Sequence, residues 1–324
     1  MRELTFGYSP CPNDTYAFHA LAHGLTDAPF RVRPVLLDIE ELNRRAHAGE
    51  FDLTKLSVGA FASIGDRYRL LRSGAALGHA VGPLVVARTP MTLAEAVSRK
   101  VAIPGTETTA YRLLRLAAAG LPPSTGFGVP GGEPALPPVN VVPTLAREGL
   151  AEQAPTSLVE MRYDRILRAI ADGEVDAGLI IHESRFTYAD HGLVKVIDLG
   201  DWWEKETGLP VPLAGICARA DLGDDVRMAA ERAIRASVQY AFDHPDASRE
   251  YVRAHAQEMS DEVCAQHIAL YVNEHSLDIG DDGLRAIARL VEGPLSECDA
   301  VPGQVGPALR ARPREHKIGS AGNH

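Results

Sequence analysis

Cysteine is scarce: Cys11, Cys217, Cys264 and Cys298 are the four in 324 residues, and no two of them form a CxxC pair. That scatter supports neither a zinc site nor a disulfide framework, and it fits a reducing compartment. Positive charge is short as well. Thirty-three Lys and Arg against 43 Asp and Glu leave a net charge of −10. No basic helix stands out, so nucleic acid is excluded as a general partner, because neutralising phosphates needs clustered Lys and Arg. Long hydrophobic runs are missing too. Nothing approaches the roughly 18 apolar residues of a membrane span, so no membrane insertion is expected. The opening "MRELTFGYSPCPND" carries no apolar signal core ahead of its prolines, and the expectation is a cytoplasmic protein.

What remains is an ordinary globular composition, 45% hydrophobic and 23% charged, in a chain long enough for two domains. Strand-like stretches ("LTFGYS", "FRVRPVLLD", "FDLTKLS", "PLVVAR", "KVAIPG") alternate with helical ones ("YAFHALAHG", "IEELNRRAHAGE", "TTAYRLLRLAAAG"). This alternation predicts an α/β fold with parallel sheets covered on both faces. After Asp225 only helices follow, with Val226, Ala230, Ile234, Val238 and Ala241 at helical spacing. A helix-only region cannot make its own sheet, so it should return to cover the first one. The expected partition is a discontinuous first α/β domain (1–86 and 221–300), a second (87–220) and a loose tail (301–324). Residues 120–157 hold eight prolines and six glycines. They read as an insertion, within which "VNVVP" could add a short strand.

Ligands in open parallel sheets sit beyond the carboxyl ends of strands, and three strand-to-helix turns here are chemically rich. In "SPCPNDT", Asn13, Asp14 or Thr15 can cap the next helix. In "TKLSVG", Lys55 and Ser57 stand at a strand end. In "PGTETTAY", Thr106, Thr108 and Thr109 open a helix. Free N–H groups and the positive end of the dipole make such turns anion sites. The same residues are ordinary N-caps, and a lone lysine is most often solvated. Three turns together favour a shared carboxylate-binding cleft. "SGAALGHAVGP" (73–83) reads as a loop at that cleft or as a plain flexible turn.

"GEVDAGLIIHESRFTY" poses a sharper question. Its apolar run, 177–181, reads as a buried strand, and His182 follows at the carboxyl end. Strand alternation would put Ile180, His182 and Ser184 on one face and Glu183 on the other. Glu183 then orients something other than His182, a backbone group or Arg185. Neutral imidazole is available as a base at pH 7; the duller alternative is a core histidine held by a carbonyl. Cys11, between two prolines, reads as a small packed residue.

The stretches "GYSPCPNDTYAFHAL", "LTKLSVGAFA", "LRSGAALGHAVGPLVVAR", "TTAYRLL", "RYDRIL", "GLIIHESRFTY" and "HAQEMSDEV" resemble the 1,4-dihydroxy-6-naphthoate synthase family of the futalosine route to menaquinone. They span residues 4 to about 290, and the insertion at 120–157 departs from the family pattern. The resemblance implies a type II periplasmic-binding-protein-like fold, two α/β domains with an interdomain cleft. It implies a carbon–carbon lyase that splits cyclic dehypoxanthinyl futalosine, a small-molecule carboxylate, into 1,4-dihydroxy-6-naphthoate and dihydroxyacetone. By the same resemblance His182 is the proton acceptor, Lys55, Leu56, Ser57, Thr108 and Thr109 contact substrate, and no cofactor or metal is required. A solute-binding protein of the same fold and the sister futalosine-forming dehydratase are the alternatives.

Overall fold

The computed structural model describes residues 1–64, 67–120, 157–256 and 260–291. The expectations for 121–156, including the "VNVVP" strand, and for the tail 301–324 lie outside the described residues.

The chain opens β1 (Arg2–Tyr8), α1 (Pro12–Ala22), β2 (Phe30–Leu36), α2 (Ile39–Ala46), β3 (Leu53–Ser57), α3 (Val58–Ile64), β4 (Tyr68–Leu70) and β5 (Ala76–Gly78). It continues β6 (Leu84–Ala87), α4 (Leu93–Val97), β7 (Lys100–Ile103), α5 (Thr109–Ala118), β8 (Ser157–Glu160), α6 (Tyr163–Ala171) and β9 (Ala177–Ile180). Then come α7 (Ser184–Thr187), β10 (Val194–Asp198), α8 (Leu199–Thr207) and β11 (Val211–Arg219). Helices close the described chain: α9 (Asp224–Asp243), α10 (Arg249–His255), α11 (Asp261–Tyr271), α12 (Glu274–Leu277) and α13 (Gly280–Val291).

Two sheets result, ordered β2-β1-β3-β11-β4, with β5 also on β11, and β10-β6-β9-β7-β8. Neither is purely parallel. β11 runs antiparallel to β3, and β6 runs antiparallel to β9 and β10. The expectation of parallel sheets is corrected by connectivity. A strand that arrives from the other sheet enters from the opposite end and reverses direction. Sheet membership also differs from the expected boundaries. β6, up to Ala87, already lies in the second sheet, and β11 lies wholly in the first. The chain therefore crosses between Gly78 and Leu84 and returns between Thr207 and Val211.

The strand β6 is buried on both faces, which is why its sequence is apolar without alternation. Leu84 and Val86 pack with Ile166, Ile170 and Ile180, while Val85 packs with Val101, Leu113 and Trp203. The first sheet buries Phe6 and Tyr8 against Phe18 of α1, with ring centroids 4.8–5.4 Å apart. Each such ring is worth about 1.5–3 kcal/mol over leaving it in water. α9 lies along α1, where the Ser237 hydroxyl donates to Ala17 O at 2.8 Å and accepts from Leu21 N at 3.1 Å. α13 packs on α3 and β11. At its far end α13 also meets α5, where Leu290 O accepts from Arg112 Nε at 2.9 Å.

Candidate active site

Both sheets end on one cavity with about 590 Å³ of empty space. Its wall takes Lys55 and Ser57 from β3, Thr108–Ala110 from the start of α5, His182 and Arg185 after β9, and His267 from α11. Ala76, Val81, Gly82 and Pro83 line it as well, so the 73–83 loop stands at the cleft.

His182 does not continue the strand. β9 stops at Ile180, and His182 takes φ 57°, left-handed for a non-glycine residue. Such a conformation is costly and concentrates at functional sites. It also overturns the alternation argument. The Glu183 carboxylate, the His182 ring nitrogen and the Cys11 sulfur lie within 4.8 Å of one another. Ser184 opens a helix instead of sharing a strand face with His182.

The imidazole is held on one side only. Nδ1 lies 3.5 Å from Cys11 Sγ, and Tyr163 meets the ring edge-on at 4.7 Å between centroids. Nε2 is shielded from solvent and, among the described residues, has no hydrogen-bond partner. Burial, and after it the charge of Lys55, pushes the His182 imidazole from 6.5 down to about 3. The ring is therefore neutral over the physiological range, as a base must be.

Lys55 is not solvated. Its Nζ donates to Asp14 Oδ1 at 2.6 Å in a buried pair. Asn13 Nδ2 donates to the same oxygen at 2.8 Å, and Ser9 N and Oγ donate to Oδ2 at 3.0 and 2.7 Å. Asn13 and Asp14 thus hold the site together rather than capping α1, whose N-cap is Cys11 without a side-chain bond. Ser57 is clamped by Asn43 of α2, which accepts from Ser57 N and donates to Ser57 Oγ, both at 3.0 Å. Leu56 is buried away from the cavity among Ala46, Ile64 and Tyr68.

The two threonine hydroxyls are already used. Thr108 Oγ1 donates to Gly105 O at 2.9 Å and accepts from Tyr111 N at 3.1 Å, capping α5. Thr109 Oγ1 donates to Leu213 O at 2.7 Å and accepts from Gly59 N at 2.9 Å, bridging the two sheets. There α3 meets α5 backbone to backbone: a Cβ on Gly59 would stand 2.9 Å from Thr108 O. Thr106 is exposed.

Among the described residues, Cys11, His182 and Glu183 are the group spaced to hold a metal ion. Burial keeps the Cys11 thiol well above its ordinary range, and a protonated thiol is a poor ligand. Sequence reading missed Asn43, Tyr163 and His267. The last had a signal: it falls in the buried stripe Cys264–His267–Tyr271 of α11.

Residues 4–125 and 145–293 match the family described as menaquinone biosynthesis. This chain belongs to that family. Within the menaquinone biosynthesis family, a "1,4-dihydroxy-6-naphtoate synthase" of Thermus thermophilus is 51% identical over 290 residues, 90% of this chain and 93% of that protein. One of the same name from Streptomyces coelicolor is 42% identical over 294 residues, 91% of this chain and 93% of that protein. A crystal structure of an Archaeoglobus fulgidus protein superposes with TM-score 0.76 at 32% identity, covering 91% of this chain and 97% of that one. A ligand-binding component of an ABC-type import system from Staphylococcus aureus, with zinc bound, gives TM-score 0.59 at 16% identity, covering 90% and 91%. The fold is thus α/β of the periplasmic-binding-protein type. Among the described residues no helix is long and apolar enough to cross a membrane.

Proposed function

We propose that this protein is a 1,4-dihydroxy-6-naphthoate synthase, a cytoplasmic carbon–carbon lyase that converts cyclic dehypoxanthinyl futalosine to 1,4-dihydroxy-6-naphthoate and dihydroxyacetone. The observation that carries the reading is the position of His182 in the cavity wall with its shielded Nε2 bare of hydrogen bonds among the described residues. A neutral imidazole fixed by its other nitrogen can take a proton from the sugar-derived part of the substrate. Carbon–carbon cleavage follows, and aromatisation of the bicyclic fragment drives it. Positioned acid–base groups typically contribute about 10²–10⁴-fold in rate.

The substrate carboxylate fits the turn between Ser57 and α5. Ser57 has its hydroxyl lone pair engaged by Asn43, which leaves its own proton to donate. The first-turn N–H groups of α5 supply the remaining donors. Thr108 and Thr109 contribute by fixing that turn, Leu56 by its backbone, and Lys55 by its potential. Two hinged domains, one on each sheet, would close over the ligand, with the Thr109 hydroxyl and Gly59 at the seam.

The fold also suits a solute-binding protein, and fold alone does not decide function. The deciding experiment adds cyclic dehypoxanthinyl futalosine to the purified protein and follows naphthoate absorbance and dihydroxyacetone release. Turnover that collapses in His182→Asn while substrate still binds supports the lyase. Binding without turnover by the wild type makes it a solute-binding protein, and normal turnover by His182→Asn removes His182 as the base.

A further inference from the structure

A buried acid with too few donors to hold a charge stands beside the turn that opens α5. Glu40, in the first turn of α2, is 3% exposed and reaches from the first sheet to the segment between β7 and α5 in the second. Its Oε1 accepts from Glu107 N at 3.2 Å, and its Oε2 is buried with no hydrogen-bond partner among the described residues. The carboxyl is packed against Gly105, where a Cβ would stand 2.2 Å from Glu40 Cδ. Glu40 thus backs the segment whose next residues, Thr108 and Thr109, line the cavity. The charges around it do not favour ionisation. Glu107 lies on the turn and Glu160 at the end of β8, and both oppose a further negative charge. Arg44, on the same helix as Glu40, is the opposing cation, but it is already paired with Glu41 at 3.2 Å. His47 is turned to the Glu107 carboxylate at 2.8 Å, and Asp38 accepts from Glu40 N at 2.9 Å. A buried carboxylate with one long hydrogen bond, beside two others, costs far more than the neutral acid. Burial raises the Glu40 carboxyl to about 7, against the Glu107 N–H, which lowers it.

On the lyase reading, which supplies the ligand, we infer that Glu40 is a positioning residue: as a neutral acid it seats the 105–109 turn, and the substrate carboxylate binds tightly only while Glu40 is neutral. The reason is competition for the positive end of one helix. α5 begins at Thr109 with Thr108 as its N-cap, and the Glu107 N–H stands beside that end. A neutral Glu40 leaves the end to an anion in the cavity. An ionised Glu40 places its own charge there, or leaves its buried seat for water and takes the support of the turn with it. In both cases an anionic ligand is held less tightly. The coupling is reciprocal, so a bound carboxylate draws a proton onto Glu40. Glu40 touches no reacting atom and acts through the turn alone.

The first measurement uses no ligand. In ¹⁵N-labelled protein the Glu107 amide resonance should titrate with a midpoint near pH 7, and Glu40→Gln should remove that transition. An amide that does not titrate overturns the proposal, and so does a transition unchanged in Glu40→Gln, which would belong to His47. The second measurement is the calorimetric Kd of 1,4-dihydroxy-6-naphthoate, which carries the carboxylate and needs no turnover. From pH 6.5 to 8.5 the wild-type Kd should weaken about tenfold, as linkage to one proton allows. Glu40→Gln keeps the shape of the neutral acid, so its Kd should stay at the wild-type acid-side value across that range. Glu40→Ala removes the seat, and its Kd should be weak at both ends. A wild-type Kd independent of pH, or a Glu40→Gln Kd that climbs with the wild type, overturns the proposal. Protein that binds the naphthoate with this pH dependence but does not turn over cyclic dehypoxanthinyl futalosine defeats the lyase reading alone. Protein that turns it over while its binding ignores pH defeats the role of Glu40 alone.

Discussion

Removing the Asp14 carboxylate should be among the most damaging single changes in the first sheet. Asp14 and Lys55 are 3% and 4% exposed as side chains, so neither charge has water to fall back on. Asp14→Ala strands the Lys55 ammonium, and stripping one partner from a buried pair costs about 3–5 kcal/mol. It also leaves Ser9 N–H and the Asn13 amide without their acceptor. Lys55→Met is milder. Asp14 keeps Ser9 and Asn13 as donors, so the loss should be about 1–3 kcal/mol. In the double variant no ammonium is stranded, so it should be more stable than the two single losses would sum to, by at least about 1 kcal/mol. Urea unfolding of the four proteins measures each value. An Asp14→Ala loss under about 1 kcal/mol, or strictly additive losses, would refute the claim that this pair is buried and coupled.

Four further outcomes are expected. The acid limb of kcat/KM should lie well below pH 6.5, because burial holds the His182 pKa down to about 3; activity persists while the ring is neutral and falls only as pH drops through that value, and a limb at 6.5 would mean the ring is solvated. The same shift has a stability consequence: the unfolded histidine binds a proton that the folded one refuses, so stability should decline as pH falls from about 6.5, and His182→Asn should flatten that slope in thermal melts. Glu40, buried beneath Gly105 and near Glu160 and Glu107, is raised to about 7 mainly by burial, so stability is lost as pH rises from 4.5 through 7. Glu40→Gln should stabilise the protein at pH 8 by up to about 3 kcal/mol and much less at pH 5; an equal effect at both values contradicts the assignment. Gly59→Ala must push Thr108 away, and kcat/KM should fall about 10–100-fold while unfolding shows a loss of about 1–3 kcal/mol; wild-type kinetics would show that the α3–α5 contact does not shape the site.

The sequence located His182 because an unbroken apolar run can end only where a buried strand leaves its sheet. It misplaced Glu183 because a single left-handed residue resets which way every later side chain points, and nothing in "IIHES" announces φ 57°. That Lys55 is paired with Asp14 was not legible, because its counter-charge lies 41 residues away. The Asn13–His267 contact spans 254 residues, beyond any local pattern. The chemistry of Ser57, Thr108 and Thr109 was visible as helix-start residues, but which hydroxyls were already committed depended on Leu213 and Gly59. The antiparallel entry of β6 and β11 was hidden for a related reason: periodicity shows that a strand is buried, not the direction from which the chain reaches it.

The place of β11 inside the first sheet has a consequence for synthesis. β3 and β4 flank it, and among the described residues β4 pairs with no other strand, yet Val211 lies about 150 residues after Ser57. At roughly 5–20 residues per second a nascent chain spends on the order of 10–30 s with that edge open. During this interval the second sheet, whose strands are all contiguous in the chain from β6 to β10, can assemble without waiting for anything C-terminal to it. The first sheet closes last, from both ends of the sequence, and an unpaired edge at β3 is the surface a chaperone or a second nascent chain would meet first.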